Sequence, residues 1–206
     1  MSVIERMLGR PEGDDDGERD DGPVSELIIS PTHQRDLKQG ILETEAQAYP
    51  KPWSPGVFQS ELDQVKNGSR YYVTARRGTK VSEAAKRGSR KRPKGRIVGH
   101  AGLWFTLDEA HVTNVAVHPD ARRTGVASAL MLALADEAIG RGCVAWTLEV
   151  RVSSEGAQEL YRRFGFVPAG VRKKYYDNVE DAIVMWCHDI HDTEYRDRLD
   201  SLRGKQ

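Results

Sequence analysis

Asn114-Val115-Ala116-Val117-His118-Pro119-Asp120-Ala121-Arg122-Arg123-Thr124-Gly125-Val126-Ala127 is the stretch that decides how this chain folds. A β-branched, apolar run stops at His118-Pro119-Asp120. A short loop with two arginines, Gly125 and small residues follows. Ser128 to Ala138 then reads as a helix rich in Leu and Ala. A strand that runs through a basic, glycine-containing loop into a helix is a phosphate cradle. The loop amides and the helix N-terminus point at the anion, and the arginines neutralise it. Gly125 and Ala127 leave room for a pyrophosphate to approach the backbone. Taken alone, the loop is equally compatible with an ordinary strand-turn-helix carrying two solvated arginines, because short glycine motifs recur by chance.

The rest of the C-terminal half resolves that choice. Arg122-Arg123-Thr124-Gly125-Val126-Ala127 fits the Arg/Gln-x-x-Gly-x-Gly/Ala pattern of the GCN5-related N-acetyltransferases. Thr147-Leu148-Glu149-Val150-Arg151 follows, then Ala157-Gln158-Glu159-Leu160-Tyr161-Arg162-Arg163-Phe164-Gly165-Phe166. Next come Arg172-Lys173-Lys174-Tyr175-Tyr176 and Glu180-Asp181-Ala182-Ile183-Val184-Met185. In order and spacing this resembles the RimI-type branch, the ribosomal-protein alanine N-acetyltransferases. Upstream, Tyr49-Pro50-Lys51-Pro52-Trp53-Ser54 and Phe58-Gln59-Ser60-Glu61-Leu62 resemble that branch's Pro-Trp-Ser loop and following helix. The resemblance covers Leu27 to Trp186 apart from an insertion. It implies an α/β fold: a mixed central sheet of about seven strands, splayed between strands four and five, with helices on both faces and acetyl-CoA in the gap.

Composition sets the outer bounds. A chain of 206 residues suits one domain with a full core. Basic and acidic residues balance at 31 each, so net charge favours neither nucleic acid nor membrane as a partner. No apolar run approaches the roughly 20 residues of a membrane span. The acidic N-terminus has no apolar signal core, so a cytoplasmic protein is expected. Cys143 and Cys187 are too few for a disulfide framework and read as buried thiols.

Along the chain, residues 1–23 form an acidic tail around Asp14-Asp15-Asp16. The domain itself is expected over 24–188. Leu27-Ile28-Ile29 reads as a strand, and Pro31-Thr32 as the opening of a helix that runs past Leu42. Ser54 and Pro55 read as cap and first position of a second helix. Strands follow at Arg70–Ala75 and Ile97–Phe105, separated by a basic insertion over 76–96. Further strands are expected at Ala110–Val117 and Val144–Val150, and a helix at Ala157–Phe164. Phe166-Val167 and Ala182–Cys187 should pair as an antiparallel hairpin. Residues 189–206 read as a charged tail, with Tyr195, Leu199 and Leu202 at helical spacing.

The resemblance also implies a site. It runs the pantetheine of acetyl-CoA along Val115, Ala116 and Val117. The pyrophosphate falls on the amides of Arg123, Gly125, Val126 and Ala127, with Arg122 nearby. Acetyl transfer from a thioester to an amine needs a deprotonated amine, a polarised carbonyl and a proton for the thiolate, but no metal. An α-amine, with a pKa of about 8, costs about 1 kcal/mol to deprotonate at neutral pH, whereas a lysine costs about 4–5 kcal/mol. Glu149 is the candidate base, at the end of a buried strand with its pKa raised by desolvation; a pairing with Arg151 is the alternative. The family places Tyr161 by the sulfur, where its phenol protonates the thiolate; a half-packed core tyrosine is the other reading. An amide near Val115 would polarise the thioester oxygen.

Ser154 stands where the family has an asparagine that bonds the pantetheine, and its shorter side chain should weaken that contact by about 1 kcal/mol. Trp53, Ser54, Asn114, Glu149, Tyr175 and Tyr176 are assigned to the acceptor groove, although Trp53 and Tyr175 could equally be packing. Glu43, Glu45 or Glu61 could hold a cationic N-terminus. Cys187, His188 and His191 are too sparse a set for a metal, and none is expected.

The activity implied is acetylation of a protein N-terminal α-amine through a ternary complex, with the N-terminal alanine of the eighteenth small-subunit ribosomal protein as the first expectation. Acetylation of a lysine or a small amine is the second reading. A ribosome- or RNA-binding module using the basic insertion is the third. That insertion lacks the interleaved aromatics of a base-stacking surface, so direct nucleic-acid binding is not expected, nor is a membrane partner.

Overall fold

A computed structural model describes residues 26–78 and 95–204. The acidic tail and most of the basic insertion therefore lie outside the described residues. Seven strands form one sheet in the order β1-β2-β3-β4-β5-β7-β6. They are β1 (Glu26–Pro31), β2 (Arg70–Gly78), β3 (Arg96–Thr106), β4 (Glu109–Val117), β5 (Ala145–Arg151), β6 (Val167–Tyr176) and β7 (Glu180–His188). Every neighbouring pair is antiparallel except β4 and β5. The helices are α1 (Leu42–Ala48), α2 (Pro55–Asp63), α3 (Val126–Gly140), α4 (Glu155–Arg163) and α5 (Thr193–Arg203).

Alternation along β3 shows how the layers form. A Cβ on Gly99 would run into Val126 and Leu130 of α3, whereas the next residue, His100, meets the ring of Phe58 on α2. Successive strand residues point to opposite faces, so α2 and α3 cover opposite sides of the sheet. On the α3 side the main core gathers Leu130, Met131 and Leu134 with Trp146, Phe164 and Phe166. On the other side Leu37, Ile41, Phe58 and Leu62 close over Tyr72 and Ile97.

The strands β4 and β5 are paired only from Glu109 to Val112, opposite Ala145 to Leu148. At that point β4 carries a bulge against β3: Val112 faces Leu103 and Asn114 faces Gly102, leaving Thr113 as an extra residue. A bulge bends its strand and sharpens the twist. Here it turns β4 away from β5, and the expected splay between strands four and five results.

Three boundaries differ from the sequence reading. Pro31 does not open a helix. It ends β1 opposite Val73, and Thr32 stays on the sheet edge, its amide donating to the Tyr72 carbonyl and its hydroxyl bonding Thr74. The helical chain starts only at Asp36, with a wide turn at Leu37–Ile41 in which Gly40 (φ 147°) passes close to Ile97. The basic segment does not leave the sheet at residue 76 either. Arg76 and Arg77 continue β2, and the buried guanidinium of Arg76 pairs with the buried Asp36 carboxylate at 2.8 Å. Finally, the segment after His188 belongs to the domain rather than forming a tail. Ile190 and, from α5, Tyr195, Leu199 and Leu202 are all in the main core, and Arg203 pairs with Asp136 of α3. Helical spacing of its few apolar residues outweighs a charged composition.

Candidate active site

Two clefts open where β4 and β5 part, and Tyr49, Val115, Ala157 and Tyr161 line both. The first, of about 560 Å³, lies between the start of α3 and α4. Its loop is held in shape locally: Ala121 closes a tight turn on His118, and the Thr124 hydroxyl donates to the Ala121 carbonyl at 2.7 Å. Arg123 (φ 63°) and Gly125 (φ 83°) both take left-handed conformations. A Cβ on Gly125 would meet nothing within 4 Å, and its positive φ is a conformation that itself calls for glycine.

Gly125 precedes α3 and offers no side-chain cap, so the first-turn amides of the helix have no side-chain acceptor. With Arg122, Arg123 and Arg163 beside them, they form an anion-binding helix end. Val115, Val117, Val126 and Ala127 line the same cleft. Ala116 does not. It is buried on the opposite face, paired with His100. Only its backbone could serve a ligand.

The second cleft, of about 380 Å³, opens on the α1–α2 side. Glu149 lies in its wall with 5% of its side chain exposed. One carboxylate oxygen is 3.0 Å from His111 Nε2 on β4; the other is 2.9 Å from the Arg172 guanidinium on β6. Burial pushes the Glu149 pKa up, but the His111 hydrogen bond and the charges of His111 and Arg172 outweigh it, leaving the pKa lowered. The raised value expected for this residue is thus reversed, because the sequence showed its burial and not its partners. Arg151, the expected partner, instead pairs with Glu180 at 2.8 Å.

Opposite Glu149, the Asn114 amide donates to the buried Glu45 carboxylate at 3.2 Å. The same carboxylate accepts the Trp53 amide at 3.0 Å and lies 3.3 Å from His100 Nε2. Of the three glutamates considered as cation holders, only Glu45 lines the cleft, and its oxygens already have partners. Glu61 is bound by Arg70 and the Tyr72 hydroxyl; Glu43 is exposed beside Arg96. Trp53 satisfies both of its readings, since it packs on Phe58 and lines the cleft. Ser54 does not line it; its hydroxyl caps α2 by accepting the Val57 amide. Tyr175 and Tyr176 stand edge to face, with Tyr175 half exposed and the Tyr176 hydroxyl donating to the Glu149 carbonyl at 3.1 Å. Ser154 also lines this cleft, at the start of α4.

Tyr161 is one of the side chains lining both clefts. Burial, with the neighbouring Tyr176, pushes its phenol above the usual tyrosine range, so it keeps its proton. Tyr49 also borders both, and its hydroxyl donates to the Val115 carbonyl at 2.6 Å. Across the mouth of the second cleft Lys51 pairs with Asp177 at 2.7 Å. Sequence reasoning assigned no role to Tyr49, His111, Arg172 or this ion pair. Each acts through a contact between distant chain segments, for which no local pattern exists. Among the described residues no group of three or more His, Cys, Asp or Glu side chains is placed to hold a metal ion. Cys143 and Cys187 are buried free thiols.

The model of the acetyltransferase (GNAT) family matches residues 38–166, which contain both strands of the splay, the loop and Tyr161. The chain belongs to this family. It is an acyltransferase, and GNAT acetyltransferases use acetyl-CoA. The uncapped amides and arginines of the first cleft fit the pyrophosphate of that molecule. A Bacillus subtilis (strain 168) protein, provisionally named ribosomal protein bS18-alanine N-acetyltransferase, is 32% identical over 147 residues, covering 71% of this chain and 85% of its own length. The Escherichia coli (strain K12) enzyme of that name is 43% identical over 94 residues, 44% of this chain and 64% of the relative. The crystal structure of the Escherichia coli enzyme superposes with a TM-score of 0.64 at 31% identity, covering 80% of this chain and 94% of that one.

Proposed function

We propose that this GNAT acetyltransferase moves the acetyl group of acetyl-CoA onto the α-amine of a protein N-terminus, and that its acceptor is the N-terminal alanine of ribosomal protein bS18. The relatives that carry this activity in their names support the acceptor. The observation that carries the chemistry is Glu149, in the wall of a cleft that joins the phosphate-binding cleft at Tyr161. Acetyl-CoA supplies the activated acyl thioester. The chain supplies the rest. Arg122, Arg123 and the amides of Gly125, Val126 and Ala127 hold the pyrophosphate, and the backbone from Val115 to Val117 holds the pantetheine arm. Glu149 takes the proton of the incoming ammonium, directly or through a water. Tyr161 returns a proton to the sulfur as the thiolate leaves. Asn114, Trp53, Tyr175 and Tyr176 border the N-terminal residue of the acceptor.

The lowered pKa of Glu149 bears on the choice of amine. A carboxylate that is stable as an anion is a weak base, and lysine asks about 4–5 kcal/mol of it at neutral pH where an α-amine asks about 1 kcal/mol. The acceptor cleft also contains Lys51 and Arg151, with Arg172 on Glu149, which suits a peptide end better than a polyamine. We place the protein in the cytoplasm. No helix among the described residues is long and apolar enough to cross a membrane. The test is thiol release from acetyl-CoA with an Ala-initiated peptide that copies the bS18 N-terminus, beside an N-blocked, lysine-containing version. Turnover of the free N-terminus alone is expected. Turnover of the blocked peptide alone would move the acceptor to lysine.

A further inference from the structure

The geometry around Glu149 leaves one question that the proposed chemistry must answer: where the acceptor's proton goes next. Both carboxylate oxygens already have a partner, His111 Nε2 at 3.0 Å and Arg172 at 2.9 Å. A guanidinium cannot accept a proton under any working condition. An imidazole can. The two partners also differ in where they lead. The Glu149 side chain is 5% exposed and that of His111 26%, so the ring reaches from the buried carboxylate toward water. Its plane is fixed by an edge contact with Trp104 of β3, which carries the Arg70 guanidinium on its face. The charged groups around His111 are therefore Glu149 from β5, Arg172 from β6 beyond that carboxylate, and Arg70 from β2 beyond the indole.

We propose that His111 is a positioning and relay residue, which orients the Glu149 carboxylate and carries away the proton that Glu149 takes from the acceptor amine. The inference rests on the reading of Glu149 as the base. The balance is simple. The ammonium N–H bond breaks and an O–H bond forms on Glu149. That O–H bond then breaks as the proton passes to Nε2, the nitrogen that faces the carboxylate, in a ring whose own hydrogen sits on Nδ1, leaving an imidazolium beside a carboxylate. The imidazolium gives a proton to water at its exposed edge, which restores the neutral ring. Arg172 keeps the carboxylate charged throughout and takes no part in the transfer. Of the two partners of the Glu149 carboxylate, only the imidazole can accept a proton. The paired imidazole gives the proton a destination.

The test compares full-length protein with His111→Gln, His111→Ala and Glu149→Gln in acetylation of the Ala-initiated peptide across pH. Gln keeps a donor for Glu149 and cannot relay. His111→Gln is expected to lower kcat about 10²-fold with KM for both substrates nearly unchanged, and to change the shape of the kcat profile across pH. Added imidazole should restore part of the rate to His111→Ala. Wild-type kcat and pH profile in His111→Gln, with Glu149→Gln inactive, would overturn the relay and leave the base in place. Full activity in Glu149→Gln would overturn both. Equal losses in His111→Gln and His111→Ala, no imidazole rescue and an unchanged profile shape would reduce His111 to a structural contact and also overturn the proposal.

Discussion

The cleft proposed for the cofactor has an anion end shaped by backbone: two left-handed residues, the open amides of α3 and the edge of β4. The acceptor cleft is walled by side chains that hold one another, as Glu45 holds Asn114 and His111 holds Glu149. The first needs conformations, which a few residues in succession can specify. The second needs partners brought together from five strands and helices. A change in the first should therefore act on affinity for one invariant ligand, and a change in the second on chemistry and on acceptor choice.

The sharpest way to break that contrast is at Glu149. Glu149→Gln should lower kcat by about 10²–10⁴-fold while acetyl-CoA affinity, measured by calorimetry, stays within a few-fold. A comparable loss of cofactor affinity would mean the two clefts are not separable. Leu199→Ala, in the core under α5, should cost about 2–5 kcal/mol in denaturant unfolding. Because Leu202 of the same helix lines the cofactor cleft, acetyl-CoA affinity should fall before acceptor KM changes. Tyr161→Phe removes a phenol that lines both clefts, and about a 10–100-fold loss in kcat is expected with unaltered binding of either substrate. Gly125→Val forces a branched side chain into φ 83°, at about 1–2 kcal/mol, which should appear as weaker acetyl-CoA binding and a lower melting temperature with kcat at saturation preserved. The smallest effect is expected at Lys51→Ala. The Lys51–Asp177 pair is largely solvent-exposed on the lysine side, so stability should change by no more than about 1 kcal/mol.

Acid should act on the acceptor cleft first. The folded-state pKa of Glu149 is depressed, so its ion pairs stabilise the fold above the ordinary glutamate value of about 4.3. That contribution is lost as pH falls from there through the depressed value. Glu149→Gln should flatten this part of the stability profile.

Much of this contrast was legible in the sequence, and unevenly so. The loop and the start of α3 follow from one continuous stretch, Asn114 to Ala127, where each conformation is a property of neighbouring residues, whereas the splay was implied by the family resemblance. The parallel contact of β4 with β5 and the late antiparallel hairpin follow from segment order. What stayed hidden was long-range. Glu45 and Asn114 are 69 residues apart, and Arg172 reaches Glu149 from an exposed edge strand whose residues carry no apolar alternation. The direction of the Glu149 pKa failed for the same reason: burial can be inferred from a strand, but the charges beside it cannot. The spacing of Tyr195, Leu199 and Leu202 showed the helix α5, but its charged composition hid that these three side chains anchor it in the core.

The short ladder between β4 and β5 has a mechanical side as well. β3 and β4 are paired nearly from end to end, and so are β5 and β7, whereas β4 and β5 share only Glu109–Val112 with Ala145–Leu148. Under tension the sheet would part along this seam, into a plate of β1–β4 and a plate of β5–β7, with α3 as the strap between them. A ligand seated across the seam would act as a splint. Acetyl-CoA should then raise the force needed to open the domain more than it alters the stiffness of either plate.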